Sequence, residues 1–186
     1  MKKAINSILL TLCLFGCANQ ASHLIVAPEI NTLVTPLYNQ QIASLQVADM
    51  RSGSHVLQIL RVDKAAELYS PQAPIADVIN RQLEKAYQQQ GLVLAEQADK
   101  QIMVYIDTAL ISVQQTLMNY QANSHISLRV AVVNQDKTLT KTFTIKGNSN
   151  GPLRADMAVL ERDFNQQLAK IIEQILTNTD IQQFIR

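Results

Sequence analysis

Gln101-Ile102-Met103-Val104-Tyr105-Ile106-Asp107-Thr108-Ala109-Leu110-Ile111-Ser112-Val113 is the stretch whose reading decides the fold. Isoleucine, valine, tyrosine and threonine dominate it, and branched or aromatic side chains suit a pleated strand better than a helix. At a period of two, Ile102, Val104, Ile106 and Leu110 share one face, with Met103, Tyr105, Ala109, Ile111 and Val113 on the other. Both faces are largely apolar, which predicts a central strand.

Towards the C-terminus, Ile126, Leu128, Val130 and Val132 alternate with Ser127, Arg129 and Ala131, as a one-sided strand does. Asp136-Lys137 supplies a tight turn into Leu139 to Ile145, whose Thr140, Thr142 and Thr144 line one face. An antiparallel meander of three strands is expected. Gly147-Asn148-Ser149-Asn150-Gly151-Pro152 reads as a break in the strand pattern. Beyond it Met157, Leu160, Phe164, Leu168, Ile171, Ile172 and Ile175 recur at helical steps, with Asp156, Glu161 and Asp163 placed to complement the helix dipole. A short last segment starts on Asp180, read as a cap, and offers Ile181, Phe184 and Ile185 to a core.

Towards the N-terminus, Ser70-Pro71-Gln72-Ala73-Pro74 looks like a helix entrance with Ser as the cap. Ile75, Val78, Ile79, Leu83, Ala86 and Tyr87 then form an apolar stripe, and Gly91 closes the helix. Further upstream, Leu24 to Ala27 reads as a strand ending at Pro28, and Thr32 to Gln41 as a loop. Ile42, Leu45 and Val47 belong to another extended segment, and Arg51-Ser52-Gly53-Ser54 carries turn chemistry before Val56 to Val62, so a hairpin is expected. Together these segments predict an α+β domain over 24–186. Its sheet is expected to be mostly antiparallel, with two amphipathic helices on one face and a short C-terminal helix. The apolar second face of the Gln101 strand favours the alternative, helices on both faces.

The first 16 residues read as a leader. Lys2 and Lys3 give a positive start, and Ile8 to Phe15 an apolar run too short to cross a bilayer, which takes about 20 residues. Roughly 160 residues remain beyond leader and tether, enough for one domain. Charged residues make up 17% of the chain and hydrophobic ones 47%, a balance that argues for a folded core and against disorder. With Lys2 and Lys3 removed, 16 basic residues become 14 against 15 acidic ones, which leaves no basic excess for nucleic acid. The two cysteines, Cys13 and Cys17, lie in the leader region and offer the folded part no disulfide.

Leu14-Phe15-Gly16-Cys17 resembles the bacterial lipobox. The resemblance implies cleavage after Gly16, a diacylglyceryl group on the Cys17 sulfur, and a fatty acyl chain such as palmitate on its new amine. Two chains already give stable anchoring, so three would hold the protein on the membrane. Residues 17–23 would be the lipidated Cys and a short tether. Ala18 stands where an Asp tends to retain such proteins at the inner membrane, so the resemblance implies the periplasmic face of the outer membrane.

The order of elements also resembles the YajG family of bacterial lipoproteins. The likeness rests on the lipobox, on Val26-Ala27-Pro28-Glu29-Ile30, and on Arg81-Gln82-Leu83-Glu84-Lys85 before Gly91. It continues through Tyr120 to Val133, Leu139-Thr140-Lys141-Thr142, and Thr179-Asp180-Ile181-Gln182-Gln183-Phe184-Ile185. Apart from the lipobox none of these is a chemical motif, so the resemblance carries anchoring and fold and transfers no active site.

Few residues of the chain form a chemical motif. His23, His55 and His125 have no second ligand type at metal spacing, and no metal is expected. Five glycines form neither a phosphate-binding loop nor a dinucleotide fingerprint, and no nucleophile elbow occurs; no cofactor is expected. Asp107, within the central strand, would be a general acid if buried, and an ion-paired structural residue otherwise. Met103, Tyr105, Tyr120 and Phe143 are weighed as the lining of an acyl or glycan groove against ordinary core. Lys141 interrupts the apolar row of Leu139, Phe143 and Ile145, as an edge or partner-facing residue does, or one that snorkels. The expectation is a lipid-anchored, non-catalytic accessory protein of the cell envelope that binds another envelope protein. A binding module for lipid, lipopolysaccharide or peptidoglycan fragments is the alternative, and an envelope hydrolase comes third.

Overall fold

The computed structural model describes residues 23–31 and 35–186, and the predicted central strand is its spine. Along the chain the elements run β1 (His23–Leu24), β2 (Ile42–Asp49), β3 (Leu57–Leu60), β4 (Glu67–Pro71), α1 (Ile75–Gln89) and β5 (Val93–Leu94). They continue with β6 (Lys100–Gln115), β7 (Asn119–Asn134), β8 (Lys137–Pro152), α2 (Met157–Thr177) and α3 (Thr179–Ile185). β6, β7 and β8 form the expected antiparallel meander, with Ile111 opposite Ser124 and Leu128 opposite Phe143.

The two apolar faces of β6 have a local cause. The register with β7 shifts between Ile106 and Thr108, so Asp107 is an extra residue that resets the alternation. Ile102, Val104 and Ile106 are buried, and after the bulge so are Ala109, Ile111 and Val113. Leu110 crosses to the face of Met103 and Tyr105, where all three are only half-buried. β6 therefore has one core face, which all three helices cover as parts of one hydrophobic cluster. Helices on one side are what was expected.

The sheet is mixed, which corrects the mostly antiparallel expectation. β2 and β3 do not form a hairpin: both run parallel to β6 along the same edge, β2 beside Gln101–Ile106 and β3 beside Ile111–Gln114. After the intervening loop the chain continues in the same direction. The hairpin in this region is β3–β4, which the sequence reading did not foresee. α1 then carries the chain back so that β5 lies parallel to β2, as a helical crossover requires.

Three glycine-rich or capping expectations also change. Gly147 to Pro152 does not break the strand but extends β8 against Asn119–Ser124. The glycines make room: a Cβ on Gly147 would come 2.6 Å from Gln167 Nε2, and one on Gly151 would come 2.8 Å from the Tyr120 ring. Ser70 and Pro71 close β4 and do not cap α1, whose first turn follows Pro74 without a side-chain cap. Gly91, at φ 83°, ends α1 as expected. Asp156 caps α2 by accepting from the Ala158 N–H at 2.9 Å, whereas α3 is capped by Asn178 in place of Asp180. Ile181 and Ile185 are buried in the core, with Phe184 packed against it. Among the described residues no helix is long and apolar enough to cross a membrane.

Candidate functional site

Gly16, Cys17 and Ala18, the predicted cleavage, lipidation and sorting positions, lie outside the described residues. What is described is how the chain just after them is fastened. His23 pairs with Ser70 and Leu24 with Pro71, so β1 adds a strand parallel to β4 at the sheet edge. The following residues run extended along α2, whose side chains replace a neighbouring strand. Glu161 accepts from the Ile25 N–H at 2.8 Å, Asn165 Oδ1 from the Ala27 N–H at 2.9 Å, and Glu173 from the Asn31 N–H at 3.0 Å. The Asn165 amide also donates to the Ile25 carbonyl at 2.9 Å. Acceptors four and then eight positions apart on one helical face thus meet backbone amides two and then four residues apart on a strap. Glu161, read from sequence as a dipole-complementing residue, has this different task. The strap reading has no local sequence signal, because the partners lie more than a hundred residues apart.

The carboxylate singled out from sequence is a structural pair. Asp107, displaced outward by the bulge, accepts from Arg129 Nε at 3.2 Å and from its terminal nitrogen at 3.0 Å. The same guanidinium stacks 4.4 Å from the centre of the Tyr105 ring, and the Tyr105 hydroxyl lies 3.3 Å from Met103 Sδ. With both ionic partners about a third exposed, this is a solvated ion pair over an aromatic ring and lacks the burial a general acid needs.

The four residues weighed as a groove are not brought together. Met103 and Tyr105 lie on the helix-free face, whereas Tyr120 and Phe143 pack against the core on the other. A cleft of about 260 Å³ does open between the β7–β8 ribbon and α2, lined by Ala122, Ser124, Gly147, Leu160, Gln167 and Lys170 among others. The Ser124 hydroxyl donates to Gln167 at 2.7 Å across it. Its titratable lining residues are Asp163, which pairs with Arg162, and Lys170.

The remaining candidates are scattered. His23 is on β1, His55 in the loop before β3, and His125 on the helix-free face of β7 opposite Leu110 and Lys146. Among the described residues no cluster of three or more His, Cys, Asp or Glu is placed to hold a metal ion. Lys141 reaches from β8 to Asp180 of α3 in an ion pair, so it ties the last helix to the sheet. Asp163 pairs with its neighbour Arg162. Two features were missed from sequence. Arg51 reaches from the loop after β2 to the carbonyls of His55 and Ala109. Tyr38 and Tyr87 stack edge to face at 5.9 Å, and burial pushes the Tyr38 hydroxyl up to about 12 and the Tyr87 hydroxyl up as well.

The sequence profile of a family described as "uncharacterized lipoprotein" matches residues 28–186. No curated protein matches the sequence. Among solved structures, a Xanthomonas campestris protein is 14% identical and superposes with a TM-score of 0.62 over 86% of this chain and 95% of its own, which shows a shared fold. A minor lipoprotein from Acinetobacter baumannii is 10% identical with a TM-score of 0.39, covering 70% of this chain and 89% of its own. The rare lipoprotein B from Shewanella oneidensis is 14% identical with a TM-score of 0.36, covering 67% and 96%.

Proposed function

The chain belongs to this family of uncharacterized lipoproteins, and from that premise we propose that it is a non-catalytic accessory protein of the bacterial envelope, held by acylated Cys17 at the periplasmic face of the outer membrane. Within the family, the segments that resemble YajG support a kinship with those lipoproteins. The observation that carries the reading is the strap. Ile25, Ala27 and Asn31 are fastened to α2 through Glu161, Asn165 and Glu173, and His23 is already part of the sheet. Only the few residues between Cys17 and His23 then separate lipid from domain. Such an arrangement suits a protein whose place matters more than its reach. Its partner is another envelope protein, met through an exposed surface of the domain. A lipid- or glycan-binding module has less support, because the aromatic residues of the supposed groove are divided between two faces of the sheet.

Cys17→Ala protein should fold normally, judged by its melting curve, and appear in the soluble periplasmic fraction. Recovery of that variant with the membranes after its leader has been removed would overturn the anchor. Ala18→Asp should move the wild-type lipoprotein from outer- to inner-membrane fractions. In-cell crosslinking of the anchored protein followed by mass spectrometry is expected to give a discrete protein adduct, and a lipid or glycan adduct in its place would favour the binding module.

A further inference from the structure

Four large apolar side chains at one end of the sheet are left in solvent. Leu117 is 94% exposed and Met118 77%, both in the turn between β6 and β7; Val62, after β3, is 81% exposed, and Leu153, after β8, is 66% exposed. Hairpin tips ordinarily carry Gly, Asn, Asp or Ser, so leucine and methionine at the apex need a reason. The apex is held in shape: the Thr116 hydroxyl accepts from the Met118 N–H at 3.2 Å and from the Asn119 N–H at 3.0 Å. Leu153 donates its N–H to the Met118 carbonyl at 2.8 Å and sits at φ 62°, a left-handed conformation that leucine rarely adopts. The Arg61 guanidinium lies 3.0 Å from the Gln115 side-chain amide, so Val62 belongs to the same end.

The strand directions say what lies nearby. β3 runs parallel to β6 towards this tip, β4 runs back from it, and β1 is parallel to β4. Traced upstream, the chain at His23 therefore heads towards the tip. His23 sits level with Ser70, near Val56, which is six residues short of Val62 along the sheet. That is at most about 20 Å. Cys17 likewise precedes His23 by six positions, a reach of about 20 Å when extended. The lipidated end and the apolar tip can thus stand at the same level.

We propose that this tip is a membrane-docking surface: Leu117, Met118, Leu153 and Val62 enter the headgroup and upper acyl region of the bilayer that holds Cys17, which orients the long axis of the β6–β7–β8 ribbon across the membrane plane. The inference rests on the acyl anchor proposed above. Lys64 and Arg154, both exposed, flank the tip and suit anionic headgroups, while Asp63 offsets part of that charge. Apolar insertion is the main attraction.

The test uses the acylated protein in phosphatidylethanolamine–phosphatidylglycerol vesicles containing lipids brominated on their upper acyl carbons. With Cys17 acylated, the mature chain has no other thiol, so Leu117→Cys and Asp136→Cys each accept one fluorophore, at opposite ends of β7. Flotation with the vesicles reports the anchor. The label at 117 should then be blue-shifted and lose most of its emission to bromine, while the label at 136 keeps its own. Flotation with equal, weak quenching at both positions would overturn the docking surface and leave the anchor standing. Failure to float would overturn both.

Discussion

The Arg51 guanidinium, only 8% exposed, donates to the carboxylate of Asp49 and to the carbonyls of His55 and Ala109. It thereby closes the loop between β2 and β3 onto β6 just after the bulge, and holds the two strands on one edge. The hydrogen bond from Arg51 keeps the Asp49 carboxyl below the usual carboxylate range. An Asp with a folded pKa lower than its unfolded value, about 3.9, adds stability above that value and loses it as pH falls through the folded one. For part-exposed Asp49 the contribution is small, so Asp49→Asn should cost about 1 kcal/mol near neutral pH, with the gap to wild type closing as the pH falls through the lowered folded value. Arg51→Met leaves two carbonyls without their donor as well, and should cost about 2–3 kcal/mol, much of it persisting in acid. Urea unfolding of both variants across that pH range checks the pair, and equal losses at every pH would contradict the assignment. From sequence, Arg51 stood in a Ser- and Gly-rich stretch and read as turn material; its acceptors lie on β6, 58 residues away in the case of Ala109, and local pattern carries no trace of them.

At the scale of elements, α1 and α2 were legible because an apolar stripe every three to four residues has one reading, and both bury the residues it names apart from half-buried Met157. β6 was legible as a strand but not in its faces, since one extra residue at Asp107 reverses the alternation and no residue type announces a bulge. The Gly147–Pro152 segment misled for the opposite reason: its composition is that of a turn, yet the glycines serve to admit Gln167 and Tyr120 against a continuing strand. The strap was illegible because its hydrogen-bond partners are helix side chains instead of another strand. Its energetic independence is open to measurement. Asn165→Ala removes one acceptor and one donor from an exposed site, so the Ala27 amide should exchange with solvent many times faster while the melting temperature of the domain hardly moves. Glu173→Ala should do the same at Asn31. Unchanged exchange in both variants would mean that the strap is held by something other than these side chains.

For the molecule as a whole, the proposed anchor would make the strap and the short tether one device, in which the lipid supplies affinity and the geometry turns affinity into orientation. A weak apolar contact at Leu117, Met118 and Leu153 is occupied only if the tether keeps its local concentration high, and that concentration falls as a flexible linker lengthens. Inserting about a dozen Gly and Ser residues between Ser22 and His23 adds a root-mean-square span of roughly 20 Å. The insert leaves every described hydrogen bond in place, so the melting curve should match that of wild type and flotation with vesicles should be undiminished. Bromine quenching of a label at Leu117→Cys should nonetheless drop towards the level seen at Asp136→Cys, because the domain then spends most of its time away from the surface. Quenching that survives the insertion would show the tip binding the bilayer by its own affinity, and the short tether would lose the orienting role given to it here.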